Sequence, residues 1–551
     1  MIVKKAHMYL LVSLIISVFV IGCSPELSVP KNPKVPKYVE DLSVKIDVDR
    51  FLDFDSIVIE DRLMNLSDDM ITYTTKTYSK SDVSSGLGVK YLVHTCDYFG
   101  YHKLFVKYMK NGQEVGSNIV RVVTTSDEYN IATLVATMPV TDYTLMAVNA
   151  DYSTSYFDAS IPTIIDIERN WSYSWENLPE GMYRNPFLDE EVYTSSNNSS
   201  YWANEEKVAK YVDYLYYLNP ESKFNLYIND YWPDLFFDYI RTSVPLDQMK
   251  FVFITDGTAT FSIFKNPYVI GEEDASLATY EELTATWNKA KEAMVNGERD
   301  NVESLFPSKG NVIRDYIQVM INDPDIEVYW VVNNNSEGNY GDLRSFKEKV
   351  KTSSHFVKVD LKSMLDSLNK EEKGVLSKLY SFDNTELNKA IAEGKTPVIF
   401  LGTSTGSEYS LDGFVKIMKY LLGDSYAYLY KGHPGHITND EGRREKVLSE
   451  NGYIMLDASI PAELVAYFNP DADMAGYNGS SFNGYEKIIP FLCFNGSFNG
   501  TYASKCENYA VYVDGKYLIV KDRLTENPKH ATWDGSSSLS ELVWEDGDPN
   551  A

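Results

Sequence analysis

The chain has 551 residues, 44% of them hydrophobic and 14% aromatic, which is enough for more than one buried core and, by length, for roughly three domains. Its formal charge of -28 argues against nucleic acid or any other polyanion as a partner, and it requires an anionic substrate to sit in a locally positive pocket. Only 4 cysteines are present, which excludes a disulfide-built scaffold.

In chain order, Met1-Ile2-Val3-Lys4-Lys5 is followed by an apolar run from Met8 to Ile21 and then by Gly22-Cys23-Ser24. A positive start, a short apolar stretch and a small residue before cysteine describe a bacterial lipoprotein signal over residues 1–23. Val20-Ile21-Gly22-Cys23 fits the lipobox, so Cys23 is the expected lipidation site. It would anchor the protein to a membrane of the cell envelope, facing the periplasm or the exterior. No later stretch is long and apolar enough to span a bilayer. Residues 24–41 carry Pro25, Pro30, Pro33 and Pro36, the composition of an extended tether.

Residues 42–150 read as a small immunoglobulin-like β-sandwich. The strand signals are Ser43 to Val48, Met70 to Tyr78, Tyr91 to Thr95, and Lys103 to Met109 joined through Asn111-Gly112 to Ser117 to Val123. From about Ser153 the period changes. Helical patterns (Glu205 to Leu218, Asp234 to Arg241, Thr279 to Met294, Leu343 to Val350, Leu361 to Tyr380) alternate with strands at Phe224 to Ile228, Lys250 to Thr255 and Ile326 to Val332. That alternation means a parallel sheet covered by helices, assigned to residues 151–394. A second such unit, residues 395–506, starts at Pro397 to Leu401 and continues through the helix Asp412 to Leu422, the strand Tyr426 to Tyr430 and the helix Asn439 to Ser449. Two doubly wound lobes in series imply a cleft between them. Residues 507–551 read as an extension with a hairpin at Asp514-Gly515 and a Ser-rich, acidic tail. In an oxidising compartment Cys493 and Cys506 are candidates to pair.

Four short pieces fall where strands of the two lobes should end, the place where open α/β sheets bind ligands. They are Thr255-Asp256-Gly257-Thr258, Gly402-Thr403-Ser404-Thr405, Lys431-Gly432-His433-Pro434 and Gly479-Ser480-Ser481. Each alone is ordinary turn or capping composition. Together they supply a carboxylate that can act as a base, a cation with a histidine, and hydroxyls before a helix start that can seat phosphate. Between the last two lies Pro461-Ala462-Glu463, with Glu463 in a first helical turn. Either it complements the helix dipole or it holds the paired hydroxyls of a ribose. His433 and His436 lack partner ligands nearby in sequence, so no metal site is assigned.

The ordered set Asp158 to Pro162 (Asp-Ala-Ser-Ile-Pro), Asp256 to Thr258, Gly402 to Thr405, Lys431 to Pro434, Pro461 to Glu463 and Gly479 to Ser481 resembles the bacterial sialyltransferases of glycosyltransferase family eighty. The resemblance implies a GT-B fold of two Rossmann-like lobes behind an immunoglobulin-like domain. It also implies inverting, metal-independent transfer of sialic acid, or a related nonulosonic acid, from a CMP donor to a galactoside-type hydroxyl of an oligosaccharide, such as a surface glycan. No cofactor is implied. It makes Asp256 the base and His433 the group on the departing phosphate, with Ser480 and Ser481 on its other oxygens. Lys431 and Glu463 then face cytosine and ribose. Gly402, Thr403, Gly432 and Pro434 complete the donor side, and Asn229, Gly257 and Thr258 are weaker candidates on the acceptor side. Two positions depart from the pattern: Thr255 stands where the family has a second acid, and Gly406 where it has tryptophan. The first alters what tunes the base, and the second removes a stacking ring for the acceptor. A glycan-binding or solute-binding lipoprotein also explains the lipobox, tether and two lobes, but not the ordered set of motifs.

Overall fold

Why the chain builds two α/β lobes is visible strand by strand in a computed structural model. It describes residues 36–135, 137–167, 173–187, 202–230, 234–255, 279–306, 312–333, 347–402, 411–432, 441–457, 460–477, 488–494 and 506–546. The described residues divide into two compact units, one ending at Thr125 and one beginning at Ser126.

The first unit is all β. One sheet has the order β1 (Lys37–Val39), β8 (Gln113–Thr124), β7 (Gly100–Lys110), β3 (Ser56–Met64), β4 (Met70–Ser79). The other has the order β2 (Ser43–Val48), β6 (Val89–Thr95), β5 (Ser84–Gly86). All pairs are antiparallel except β1 with β8. Buried and exposed residues alternate along β2 and β7, the period-two signature that identified them in the sequence. Asn111 and Gly112, at φ 52° and 77°, make the tight turn expected between β7 and β8.

The boundary expected at residue 150 moves to Thr125. Glu128–Leu134 is β9, and every residue after Glu128 is buried, so it reads as a strand covered on both faces rather than as an alternating one. Only Thr125–Asp127 separate it from β8, with neither proline nor glycine to mark a junction.

β9 is the first strand of a seven-stranded, fully parallel sheet in the second unit. Its order is β11 (Met182–Arg184), β10 (Thr163–Ile167), β9, β12 (Lys223–Asn229), β13 (Met249–Ile254), β14 (Glu327–Asn333), β15 (Phe356–Val359). Counted from β9 this is 3-2-1-4-5-6-7, a doubly wound arrangement with its switch point between β9 and β12.

The next sheet repeats the scheme. Its order is β18 (Ile454–Leu456), β17 (Tyr426–Lys431), β16 (Thr396–Leu401), β19 (Asp473–Tyr477), β20 (Ile488–Phe494), β21 (Tyr509–Val513), β22 (Lys516–Lys521), β23 (Lys529–Trp533), β24 (Glu545–Asp546). The first six are parallel in the order 3-2-1-4-5-6, and the last three add antiparallel. Residues 507–546 therefore complete the lobe's sheet instead of trailing it. Strand β16 shows both faces covered: Ile399 and Leu401 enter one apolar cluster, Val398 and Phe400 another. The cluster holding Ile399 also takes Leu134, Tyr143 and Val252 from the first lobe, so one core spans both lobes.

Residues 361–380, expected as a single helix, form two, Leu361–Ser367 and Lys370–Leu379. Leu368 is extended, and Asn369 restarts the helix through a capping box, accepting from the Glu372 amide at 3.0 Å while its own amide donates to Glu372 at 2.7 Å. Among the described residues no helix is long and apolar enough to cross a membrane.

Candidate active site

The C-terminal edge of the first lobe's sheet carries a row of buried polar residues: Asn229 ending β12 and Asp230 just after it, Thr255 after β13 and Asn333 ending β14. Register sets them side by side, with Asn229 opposite Ile254 and Ile254 opposite Val331. Asp230 accepts from the Trp330 indole at 2.9 Å, a structural use of the carboxylate. Thr255 is fully buried; its amide donates to the Val331 carbonyl at 3.0 Å, but among the described residues its hydroxyl has no hydrogen-bond partner. An orphaned hydroxyl is costly, by about 1–3 kcal/mol, unless something arrives to pair it.

The opposite edge of the same sheet is closed. Asn225 donates to Glu128 at 2.8 Å and to Asn130 at 3.0 Å, and Asn130 donates to the Asp158 carbonyl at 3.0 Å. Asp158–Pro162 thus packs at the N-terminal end of β9 and β10, away from the ligand edge. This segment of the ordered set does not join the site, because it enters β10 rather than leaving it.

In the second lobe Lys431 ends β17 and is 3% exposed. Its ammonium donates to the Gly432 carbonyl at 2.7 Å. Burial pulls its pKa down from 10.5 to about 8, against the opposing pull of the Glu463 and Asp457 carboxylates. Glu463 lies half-buried in the first turn of Ala462–Phe468, as expected. Gly402 follows β16, and its amide donates to the Lys431 carbonyl at 2.8 Å. A Cβ there would lie 2.5 Å from the Tyr430 hydroxyl, so glycine is what lets β16 and β17 end together. Gly476, at φ 126°, makes a similar close approach to the Leu401 backbone.

Lys431, Gly432, Gly402 and Glu463 are therefore gathered at the C-terminal edge of the second lobe's sheet, while Asn229 and Thr255 sit on the corresponding edge of the first. Asp256, Gly257, Thr258, Thr403, His433, Pro434, Ser480, Ser481 and Cys23 lie outside the described residues.

Sequence reasoning missed Asp142, in the helix Thr137–Val148 that follows β9. It is 1% exposed, and among the described residues neither carboxyl oxygen has a hydrogen-bond partner. Burial, with the negative charge of Glu463, raises its pKa well above the carboxylate range. It is the sole charged residue of that helix, which was the available signal. Glu463 thus senses a cation of its own lobe and a carboxyl of the other.

No known protein-family profile matches the chain, and no curated protein matches it. Among solved structures it is similar to the 2,6-sialyltransferase of a Photobacterium species, crystallised with the donor product CMP and the acceptor lactose. That match has a TM-score of 0.50 and 12% identity, covering 85% of this chain and 91% of that one. A second likeness, to the α-2,3-sialyltransferase of Photobacterium phosphoreum, has a TM-score of 0.46 and 14% identity over 68% of this chain and 92% of that one. At such identities the likeness concerns the fold: this is a GT-B type pair of doubly wound lobes, preceded in the chain by a β-rich unit.

Proposed function

We propose that the protein is an inverting sialyltransferase, moving sialic acid or a related nonulosonic acid from its CMP donor to a galactoside-type hydroxyl without a metal. The observation that carries this reading is the buried Lys431 beside Glu463 at the ligand edge of the second lobe. In a chain of charge -28 a desolvated ammonium is the local positive element that an anionic nucleotide needs. The fold shared with an enzyme crystallised with CMP and lactose supports the same assignment.

In this reading Asp256 takes the proton of the acceptor hydroxyl as its oxygen attacks the anomeric carbon. The bond from that carbon to the CMP phosphate oxygen breaks on the opposite side, which inverts configuration. The phosphate gains charge in the transition state, and donors from His433, Ser480 and Ser481 stabilise it. Lys431 and Glu463 hold cytosine and ribose. The Thr255 hydroxyl, buried and without a partner among the described residues, precedes Asp256 in sequence and is available to the acceptor or to the base. The enzyme would work in the envelope, held by a lipid on Cys23, with a β-rich unit of immunoglobulin-like type nearest the anchor.

Protein lacking residues 1–23 is expected to release CMP from CMP-sialic acid when a galactoside is present. Asp256→Ala should abolish transfer and keep CMP affinity, whereas His433→Ala should weaken both. Absence of transfer across a broad acceptor panel, together with no donor hydrolysis and no calorimetric response to CMP, would instead favour a glycan-binding or solute-binding lipoprotein.

A further inference from the structure

Inside the first unit three different metal-ligating side chains converge. Asp61 projects from β3, His94 from β6, and Cys96 follows β6 by one residue. They are 4%, 0% and 1% exposed, and one ligand atom from each lies within 4.8 Å of the others. His94 and Cys96 are two apart on an extended segment, so both point to the same side. Asp61 belongs to the five-stranded sheet and His94 to the three-stranded one, with Cys96 just past the end of β6, so the cluster bridges the two sheets.

A hydrogen-bonded polar plug would hold all three side chains, the Cys96 thiol donating to Asp61, but the geometry goes further. The Asp61 Oδ2 to His94 Nε2 separation is 3.3 Å, long for a charged hydrogen bond. It equals the edge of a tetrahedron with metal–ligand bonds of ~2.0 Å, which is ~3.3 Å. The far atom of each hard ligand is already held. His94 Nδ1 meets the Tyr78 hydroxyl at 2.9 Å, and Asp61 Oδ1 meets His102 Nδ1 at 2.7 Å. His102 is in turn fixed by the Tyr98 carbonyl at 2.8 Å. Such outer partners are what orient ligands at built metal sites. Lys76, the nearby cation, is paired with Asp97 and so is largely neutralised.

We propose that Asp61, His94 and Cys96 form a zinc site that clips the two sheets of the first unit together. The mixed oxygen, nitrogen and sulfur set suits Zn2+ over Mg2+ or Ca2+, which prefer oxygen alone. Binding releases one proton, from the Cys96 thiol, to solvent. The His94 ring takes the tautomer with Nε2 bare and Nδ1–H donating to Tyr78, whose hydroxyl serves as acceptor as readily as donor. A water completes the fourth position.

The test uses the full chain, stripped with chelator and kept reduced, with Co2+ as the optical probe. One equivalent should produce the intense near-ultraviolet band of sulfur-to-cobalt charge transfer, and Zn2+ should erase it. The band should be absent in Cys96→Ser, and Tyr78→Phe should weaken affinity about 10–100-fold. Because Cys96→Ser could fold poorly, Zn2+ protection of Cys96 against alkylation, read by mass spectrometry on the unsubstituted chain, provides a second measure. Absence of the band in the unsubstituted chain, its persistence in Cys96→Ser, or alkylation of Cys96 unaffected by Zn2+ would each overturn the site.

Discussion

Lys431 and Asp142 are buried ionisable groups whose charges weaken the fold with opposite dependence on pH. Lys431 has a folded pKa of about 8 against 10.5 for the free side chain. Between those values the unfolded chain holds more protons, so stability rises with pH across that window, and below it a constant penalty of roughly 3 kcal/mol applies. Lys431→Met should therefore raise the Tm at neutral pH, abolish that rise, and weaken CMP binding at least tenfold. A lower Tm for Lys431→Met would refute the argument. Asp142 titrates the other way. Its raised pKa means that the unfolded chain loses the proton first, so stability falls as pH climbs out of the ordinary carboxylate range. Asp142→Asn, followed by urea unfolding between pH 4 and pH 8, should remove that fall. Lys431 and Glu463 were legible in the sequence because a strand end and a helix start announce themselves by local pattern. Asp142 was not, since one acid in an apolar helix looks the same whether it faces water or the carboxylate of a distant segment.

At the scale of elements, the sequence was most readable where one local rule decides. Alternation located β2, β6 and β7, Asn-Gly and Asp-Gly fixed two hairpins, and the helix expected over Thr279 to Met294 forms at Tyr280–Val295, with Thr279 outside it as the cap. It was least readable where two rules compete. The apolar period running through Leu361 to Tyr380 hid the break, and the cap at Asn369 prevailed. Glycine at strand ends belongs here too, because Gly402 is set by its neighbour strand rather than by its own. Gly402→Ala pushes a methyl group against the Tyr430 hydroxyl and should cost about 1–3 kcal/mol. Adding Tyr430→Phe removes the closest atom and should recover part of the loss in denaturant midpoint. If the double variant were no more stable than Gly402→Ala alone, that contact would not be the cause.

At the scale of the whole molecule, alternating helices and strands announced two parallel sheets, and strand order followed without being readable itself. Both lobes count 3-2-1-4-5-6 from their first strand, which places the gathered residues on matching edges. The joint between β8 and β9 escaped notice because neither proline nor glycine marks it, and the merging of residues 507–546 into the second sheet did so because their hairpin and acidic composition do not say which sheet they join. That merger governs how the protein can be shortened. β21 to β24 carry the sheet from a wide parallel strand down to the two acidic, exposed residues Glu545 and Asp546, an edge that offers a neighbouring molecule almost nothing to pair with. A chain cut at residue 506 would instead end its sheet on β20, with a full row of open backbone donors and acceptors. Light scattering should find that fragment self-associating, while a chain cut at 546 stays monodisperse. A monodisperse, folded 506-residue fragment would show that the added strands are dispensable. The acidic tail end is, on this view, the protein's guard against polymerising with itself.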